Sequence, residues 1–258
     1  MILLKHLAAI DLHSHYNHGA ADDHKTSKIY RADLGFLLEQ YHHSNVAAGV
    51  FSTFASMNNF AVIPEENEYA YHIAQNTSWV YQWVVVDPRQ KETFEQAERM
   101  LQSPKCVGIK IHPYCHGYET VRYADQVFAF ANERNAVVLT HPDAPEQIGN
   151  VVPIVDRYPK MKLIIAHLGS EEHIEAIRKA KHQNIYTDTS GYASITNNLL
   201  EYAVQQIGAD KIFFGTDTYS AGFQRGRVEY ASISDEDKQK ILRGNAVKLL
   251  KEVKGIEV

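Results

Sequence analysis

Eight times along this chain a short run of β-branched and other apolar residues is followed by a longer stretch with helical periodicity. The runs are AAIDLHSH (8–15), VAAGVFSTF (46–54), WVYQWVVVDP (79–88), CVGIKIHP (106–113), AVVLTHPD (136–143), KLIIAHLG (162–169), NIYTDTSG (184–191) and KIFFGTDTY (211–219). They are continuously apolar rather than alternating, as parallel strands covered on both faces are. Between them lie RADLGFLLEQYHH, PEENEYAYHIAQ, QKETFEQAERMLQ, VRYADQVFAFANERN, PEQIGNVVPIVDRYP, SEEHIEAIRKAKHQ and TNNLLEYAVQQIG. The second of these opens with a proline and an acidic first turn, a helix-start signal. The last segment, SDEDKQKILRGNAVKLLKEV, has Ser232 or Ser234 as its expected N-cap. Strict strand–helix alternation repeated eight times predicts an α/β fold of the (β/α)8 type, a TIM barrel. A doubly wound open sheet would carry a glycine-rich phosphate loop after a strand, and neither GxGxxG nor a Walker pattern occurs. No repeat, linker or low-complexity tract interrupts the series, so residues 1–258 are expected to be a single domain, a length at which such barrels are common.

Composition narrows the partners. With 45% apolar and 22% charged residues the chain can bury a core of that size. The net charge of −5, from 26 basic and 31 acidic residues with no basic run, argues against a nucleic-acid partner. No apolar stretch reaches the roughly 18 residues a bilayer span needs. The opening MILLKHLAAI is too short and interrupted for a secretory signal and leads instead into the first strand. Two cysteines, Cys106 and Cys115, make no disulfide framework, so a cytoplasmic location is expected. Cys106, at the start of the fourth strand, is expected to be a small buried hydrophobe.

The polar residues fall at strand ends: His13 and His15, Lys110 and His112, His141, His167, Asp188 and Asp217. In a barrel these ends converge on one mouth, which holds the site. Side chains two apart on a strand share a face, so His13 and His15 are expected to point inward with Leu12 and Ser14 turned away. His18 lies past the strand and is left out of the ligand set. Neutral imidazoles bind zinc and similar divalent ions. A histidine from the fifth strand and a carboxylate from the eighth would complete a ligand set that leaves room for water. Lys110 and His112 are two apart, so both can face inward. Asp188 is suited to orienting a ligand histidine through its other nitrogen, or to turn chemistry with Thr189, Ser190 and Gly191. Tyr114, Cys115 and His116, and Tyr16, Asn17, His18 and His24, sit in loops at the same mouth; each taken alone is a weak candidate. His42, His43, His72, His173 and His182 are expected on the solvated outer ring.

The motifs DLHSH, GIKIHP, LTHPD, IIAHLG, YTDTSG, FFGTDT and ILRGNAVKLL follow one another from residue 11 to about 250. In that order the chain resembles the amidohydrolase superfamily, in the branch of amidohydrolase-related metal-dependent enzymes that also contains decarboxylases. The resemblance implies metal contacts from His13, His15, His141 and Asp217, with Zn2+ or another divalent ion such as Mn2+, one or two in number. His167 would act in catalysis or hold a second metal. Lys110 would be carboxylated and bridge two metals, or Lys110 and His112 would bind substrate. Many relatives have glycine where this chain has Asp143, which leaves the substrate class open. The leading expectation is a hydrolase: metal-activated water attacks a small polar ester, lactone or amide, Asp217 moves the proton, and His167 stabilises the oxyanion. The alternative is a lyase, a non-oxidative decarboxylase or hydratase using the same metal site, with Lys110, Arg89 or Arg31 holding a substrate carboxylate. A non-catalytic metal or ligand binder is the third reading, and the complete set of strand-end residues counts against it. The implied partner is a small-molecule substrate. Related barrels are often dimers, although no stripe in this chain marks a homodimer interface.

Overall fold

The computed structural model describes residues 4, 6–18, 29–141, 148–191 and 195–256. All eight expected strands are present: β1 (Ala9–Tyr16), β2 (Val46–Thr53), β3 (Val80–Val85), β4 (Cys106–Ile111), β5 (Val137–Thr140), β6 (Lys162–Ile165), β7 (Ile185–Asp188) and β8 (Ile212–Phe213). They pair in parallel in chain order, β1 through β8. Their order and the helices between them make a (β/α)8 barrel. Most ladders end earlier than the apolar runs, because residues from Asp87, His112, His141, Ala166 and Phe214 onward leave the sheet to build the mouth.

Twelve α-helical segments are described: α1 (Leu34–His43), α2 (Phe54–Asn58), α3 (Ile63–Asn76), α4 (Lys91–Met100), α5 (Pro113–His116), α6 (Thr120–Glu133), α7 (Ile148–Val155), α8 (Glu171–Lys179), α9 (Leu199–Ile207), α10 (Ala221–Glu229), α11 (Asp235–Gln239) and α12 (Asn245–Lys254). Ser234, not Ser232, caps α11, its Oγ accepting from Asp237 N at 3.1 Å. The helix α10 has no counterpart in the expectation. Gly222 and Gly226 weaken its local signal, and its hold on the barrel is tertiary: the Arg225 guanidinium donates to the carbonyls of Leu4, Leu7 and Asn45. A π turn over Lys240–Gly244 joins α11 to α12. Within it the Ile241 carbonyl accepts from Phe214 N at 3.0 Å. Arg243 donates to Ala8 O, and Asn245 Nδ2 to Ala209 O and Ile212 O. The ILRGNA motif therefore ties the last helix to the ends of β8 and β1.

Two apolar layers sandwich the sheet. Ile10, Leu12, Val50, Trp83, Val137, Leu139, Ile164 and Ala166 form one cluster with Ala246, Leu249 and Leu250 of α12. The Trp83 indole crosses this interior to donate to Leu12 O at 2.8 Å. It fits because position 108 is glycine: a Cβ there would lie 2.7 Å from the Trp83 ring and press on the Val137 carbonyl. Outside, Val84, Ile109, Val138, Leu163 and Ile165 pack on Ala97, Phe128, Val155 and Ile177 of the helices. Leu12 is thus not turned out as simple alternation predicts. The β1–β2 register slips between Asp11 and Ser14, and the irregularity lets Leu12 join the interior cluster while both histidines still reach the mouth. Among the described residues no helix is long and apolar enough to cross a membrane.

Candidate metal centre and active site

The barrel closes between β8 and β1 without a regular ladder. Leu12 N donates to Phe214 O at 2.9 Å, and the amides of Thr216 and Asp217 both donate to His13 O, at 3.1 and 2.7 Å. Side chains finish the seam. Asp11, wholly buried, accepts from Tyr41 OH (2.7 Å), Thr216 Oγ1 (2.6 Å) and the amides of His13 and Thr216. Burial pushes its carboxyl up to about 7 against those hydrogen bonds. Thr218 Oγ1 accepts from His15 N (2.7 Å) and donates to His15 O (2.8 Å). This seam carries the pair Asp217–Thr218 with φ of 53° and 62°, and the end of β6 carries His167–Leu168 with φ of 77° and 54°. Positive φ in consecutive non-glycine residues is strained backbone of the kind that collects at functional sites.

On this frame His13 and His15 are each held by Nδ1. His13 Nδ1 lies 3.0 Å from Asp188 Oδ2, and His15 Nδ1 lies 3.0 Å from Ser52 Oγ. Both Nε2 atoms are left to face Asp217 Oδ1, at 3.6 and 3.1 Å. These three ligand atoms lie within 4.8 Å of one another. Burial keeps both imidazoles neutral, reinforced by the Lys110 ammonium, and His15 is brought down to about 3. Burial alone would raise the Asp188 and Asp217 carboxyls. The neighbouring imidazoles outweigh it and hold both below the ordinary carboxylate range. Two neutral imidazole lone pairs and one carboxylate oxygen suit a divalent cation. The Lys110 Nζ atom lies 2.6 Å from His13 Nε2 and 3.3 Å from His15 Nε2. Lys110 therefore reaches inward to the two histidines.

Above the cluster opens a cavity of about 320 Å³, walled by His112, His141 and His167, the side chains of Phe54, Met57, Asn58, Tyr114, Cys115 and Tyr219, and Gly191. Three of the four expected ligands come together. His141 lies outside the group: its ring stacks on His112 (centroids 4.6 Å apart) and meets His167 edge-on at 4.8 Å. His167 stacks over His13 at 5.2 Å. Of the loop candidates, Tyr114 and Cys115 line the cavity, whereas Tyr16 is buried against Phe51 and His116 hydrogen-bonds Ser56 O. His18 pairs with Glu66 instead. His24 and Asp143 lie outside the described residues. Arg31 is bound to Asp33 and Arg89 to Asp87, and neither lines the cavity, so neither is placed to grip a substrate there. His173 is buried, not solvated: its Nδ1 accepts from Ser170 N as part of the cap of α8. Cys106 is buried as expected, its thiol pushed up to about 12 by burial. Sequence reasoning missed Asp11, Ser52 and Thr218, whose partners are far along the chain.

Comparison with known proteins gives these positions a family. The chain matches the family model described as Amidohydrolase over residues 10–251. A gamma-resorcylate decarboxylase of Polaromonas sp. (strain JS666 / ATCC BAA-500) is 31% identical over 121 residues, 38% of this chain. That match spans 36% of the curated relative's length. A 2,6-dihydroxybenzoate decarboxylase from Rhizobium has a TM-score of 0.77 at 15% identity, covering 95% of this chain and 99% of its own. A dihydroxybenzoic acid decarboxylase from Polaromonas sp. JS666, with bound manganese and the inhibitor 2-nitroresorcinol, has a TM-score of 0.75 at 15% identity, covering 95% and 97%. At such identities the structural likeness is one of fold. The family match runs from β1 into α12 and takes in every strand end that carries the site, and the chain belongs to the amidohydrolase family.

Proposed function

We propose that this protein is a metal-dependent lyase, a non-oxidative decarboxylase of a small carboxylated substrate. The observation that carries this reading is the wall of the cavity. Five histidines, His13, His15, His112, His141 and His167, face a space of about 320 Å³ in which Asp217 is the lone carboxylate among the described residues. Neutral imidazoles offer hydrogen-bond donors to a carboxylate, and a divalent cation on the His13, His15 and Asp217 group would supply the positive charge that favours an anion about one ring in size, packed on Phe54 and Met57. The decarboxylases named above support it, and for that reason the lyase alternative displaces hydrolysis as the leading reading.

His13 Nε2, His15 Nε2 and Asp217 Oδ1 would hold the metal, zinc or manganese, with His141 as a further donor from the wall. When bound, the ion supplies a fixed positive charge that draws electron density from the substrate. The chain does the rest. His112 and His141 hold the carboxylate against the wall. The C–C bond to the carboxylate breaks, CO2 leaves, and the carbon takes one proton. Asp217 is held ionised by its surroundings, so it would first take up a proton from solvent on the oxygen not facing the histidines and then pass that proton to the carbon as CO2 leaves. His167 handles the proton exchanged with the substrate.

The test is direct. Protein loaded with Zn2+ or Mn2+ is incubated with 2,6-dihydroxybenzoate and other single-ring acids while CO2 is measured, alongside a panel of esters, lactones and amides. CO2 release that is lost in Asp217→Asn is expected. Ester, lactone or amide cleavage without CO2 release refutes the lyase reading, and a fully metal-loaded protein inert on both panels refutes catalysis.

A further inference from the structure

One buried hydroxyl, that of Ser190, sits where three functional side chains meet. Its Oγ is hydrogen-bonded to Asp188 Oδ1 and lies 2.9 Å from His13 Nδ1 and 3.0 Å from His167 Nδ1. Ser190 has no solvent exposure, so these contacts account for its hydrogen bonding. A hydroxyl has one proton to give and two lone pairs to offer. Asp188 Oδ1 already accepts from the amides of Ser190 (2.9 Å) and His167 (3.2 Å), so toward Ser190 Oγ it acts as an acceptor. The Ser190 proton therefore goes to Asp188. What remains on Ser190 is acceptor capacity, and the nitrogens that face it must donate. His13 Nδ1 does so while also facing Asp188 Oδ2. His167 Nδ1 has Ser190 Oγ as its hydrogen-bond partner, so Nδ1 carries a proton.

The backbone next to Ser190 keeps that pairing. Gly191 has φ of 74°, and a Cβ there would lie 2.9 Å from His167 Cε1 and press harder still on Nδ1. Glycine lets the His167 ring lie against the serine. No hydrogen bond among the described residues engages His167 Nε2, and the residue lines the cavity.

We infer that Ser190 is a positioning residue that fixes the tautomer of His167, so that Nε2 meets the substrate as a hydrogen-bond acceptor. The consequence rests on the decarboxylase reading: the substrate atom facing His167 Nε2 is a donor, a hydroxyl.

The experiment reads the tautomer itself, independently of any activity. Protein labelled with 15N-histidine is examined by two-bond 1H–15N correlation, metal-free and with Zn2+, and the His167 signals are identified by their loss in His167→Gln. Wild type is expected to show a protonated Nδ1 and an unprotonated Nε2 for His167 in both states. Ser190→Ala is expected to move the proton toward Nε2, and Ser190→Thr, which keeps the hydroxyl, to restore the wild-type pattern. A wild-type His167 protonated on Nε2, or a Ser190→Ala protein with its pattern unchanged, overturns the inference. A variant too unstable for spectroscopy leaves the wild-type spectrum to decide. Failure to release CO2 bears on the decarboxylase reading alone.

Discussion

Replacing Asp188 with asparagine should weaken metal binding without touching any of the atoms that would hold the metal. Asp188 Oδ1 collects three donors, the Ser190 hydroxyl and the amides of Ser190 and His167. An asparagine at this wholly buried position would keep its carbonyl oxygen there and turn its amide nitrogen toward His13 Nδ1, where Asp188 Oδ2 now accepts at 3.0 Å. Two donors would then face each other. The cheapest relief moves the His13 proton from Nδ1 to Nε2, the nitrogen whose lone pair should serve the metal. Loss of such an orienting carboxylate costs about 10–100-fold in metal affinity, or about 1.4–2.8 kcal/mol at 1.4 kcal/mol per tenfold. The lost hydrogen bond to a charged group should also take about 2 kcal/mol from the fold, lowering Tm by about 5 °C at this chain length. Titration calorimetry with Zn2+ on wild type and Asp188→Asn measures the first, and thermal denaturation followed by circular dichroism the second. A variant that folds and binds Zn2+ within threefold of wild type would refute the idea that Asp188 governs the His13 tautomer.

Other perturbations test other parts of the structure. The double variant His13→Ala, His15→Ala should lose bound metal, read by elemental analysis of the purified protein; full occupancy would overturn the assignment of the cluster. Gly108→Ala should destabilise by about 3 kcal/mol, the upper end of overpacking costs, because its Cβ would meet the Trp83 ring at 2.7 Å and a strand carbonyl that cannot move; an unchanged urea midpoint would refute it. Burial lowers His173 to about 4, against about 6.5 for an unfolded histidine. Between those values the unfolded chain binds more protons, so this contribution is whole above pH 6.5 and is lost as pH falls toward 4, about 3 kcal/mol in all. His173→Gln keeps a residue that can complete the helix cap but does not titrate, so its urea stability should fall less than wild type's between pH 7 and pH 4.5. Equal falls would rule out His173 as the source.

The parts of the fold that were legible in the sequence are those with a local signature. Each strand is a contiguous apolar run, and each site histidine or aspartate interrupts or ends one, so composition along a few residues places it. Ser52, Ser190 and Thr218 have no such signature. Their importance lies in partners 37, 177 and 203 positions away, and a serine or threonine near a strand end is otherwise ordinary turn chemistry. Leu12 was misplaced because strict alternation ignores a register slip that depends on how β1 meets β2. His173 was misplaced because helical periodicity says which face a residue occupies but not that its ring folds back to cap its own helix, against Gly169, where a Cβ would collide with it. The helix α10 was missed for a related reason: Arg225 anchors it to carbonyls some 180 to 221 positions away, while its own glycines argue locally for a loop. His141 lies where the strand pattern puts it, at the mouth, yet its ring stacks on His112, a choice made between side chains from two different strands.

Seam and site are one structure. The β8 strand has only two residues in its ladder with β7, and a regular continuation beside β1 would have carried Asp217 along the sheet with its side chain set by alternation. The chain instead leaves the ladder at Phe214. The amides of Thr216 and Asp217 converge on a single carbonyl, that of His13, while Thr216 and Thr218 take up Asp11 and the backbone of His15 through their hydroxyls. Two donors on one acceptor require the backbone to fold sharply, and the positive φ angles of Asp217 and Thr218 are the result. Such conformations cost on the order of 1–3 kcal/mol each, which the buried hydrogen bonds around Asp11 and Thr218 are numerous enough to offset at about 1 kcal/mol apiece. The sharp fold brings Asp217 Oδ1 back over the Nε2 atoms of the two histidines whose own backbone makes the other side of the seam. The carboxylate and the imidazoles are therefore held to one another by the same bonds that close the barrel, and this β1–β8 junction can position a cation without a dedicated loop to carry its ligands.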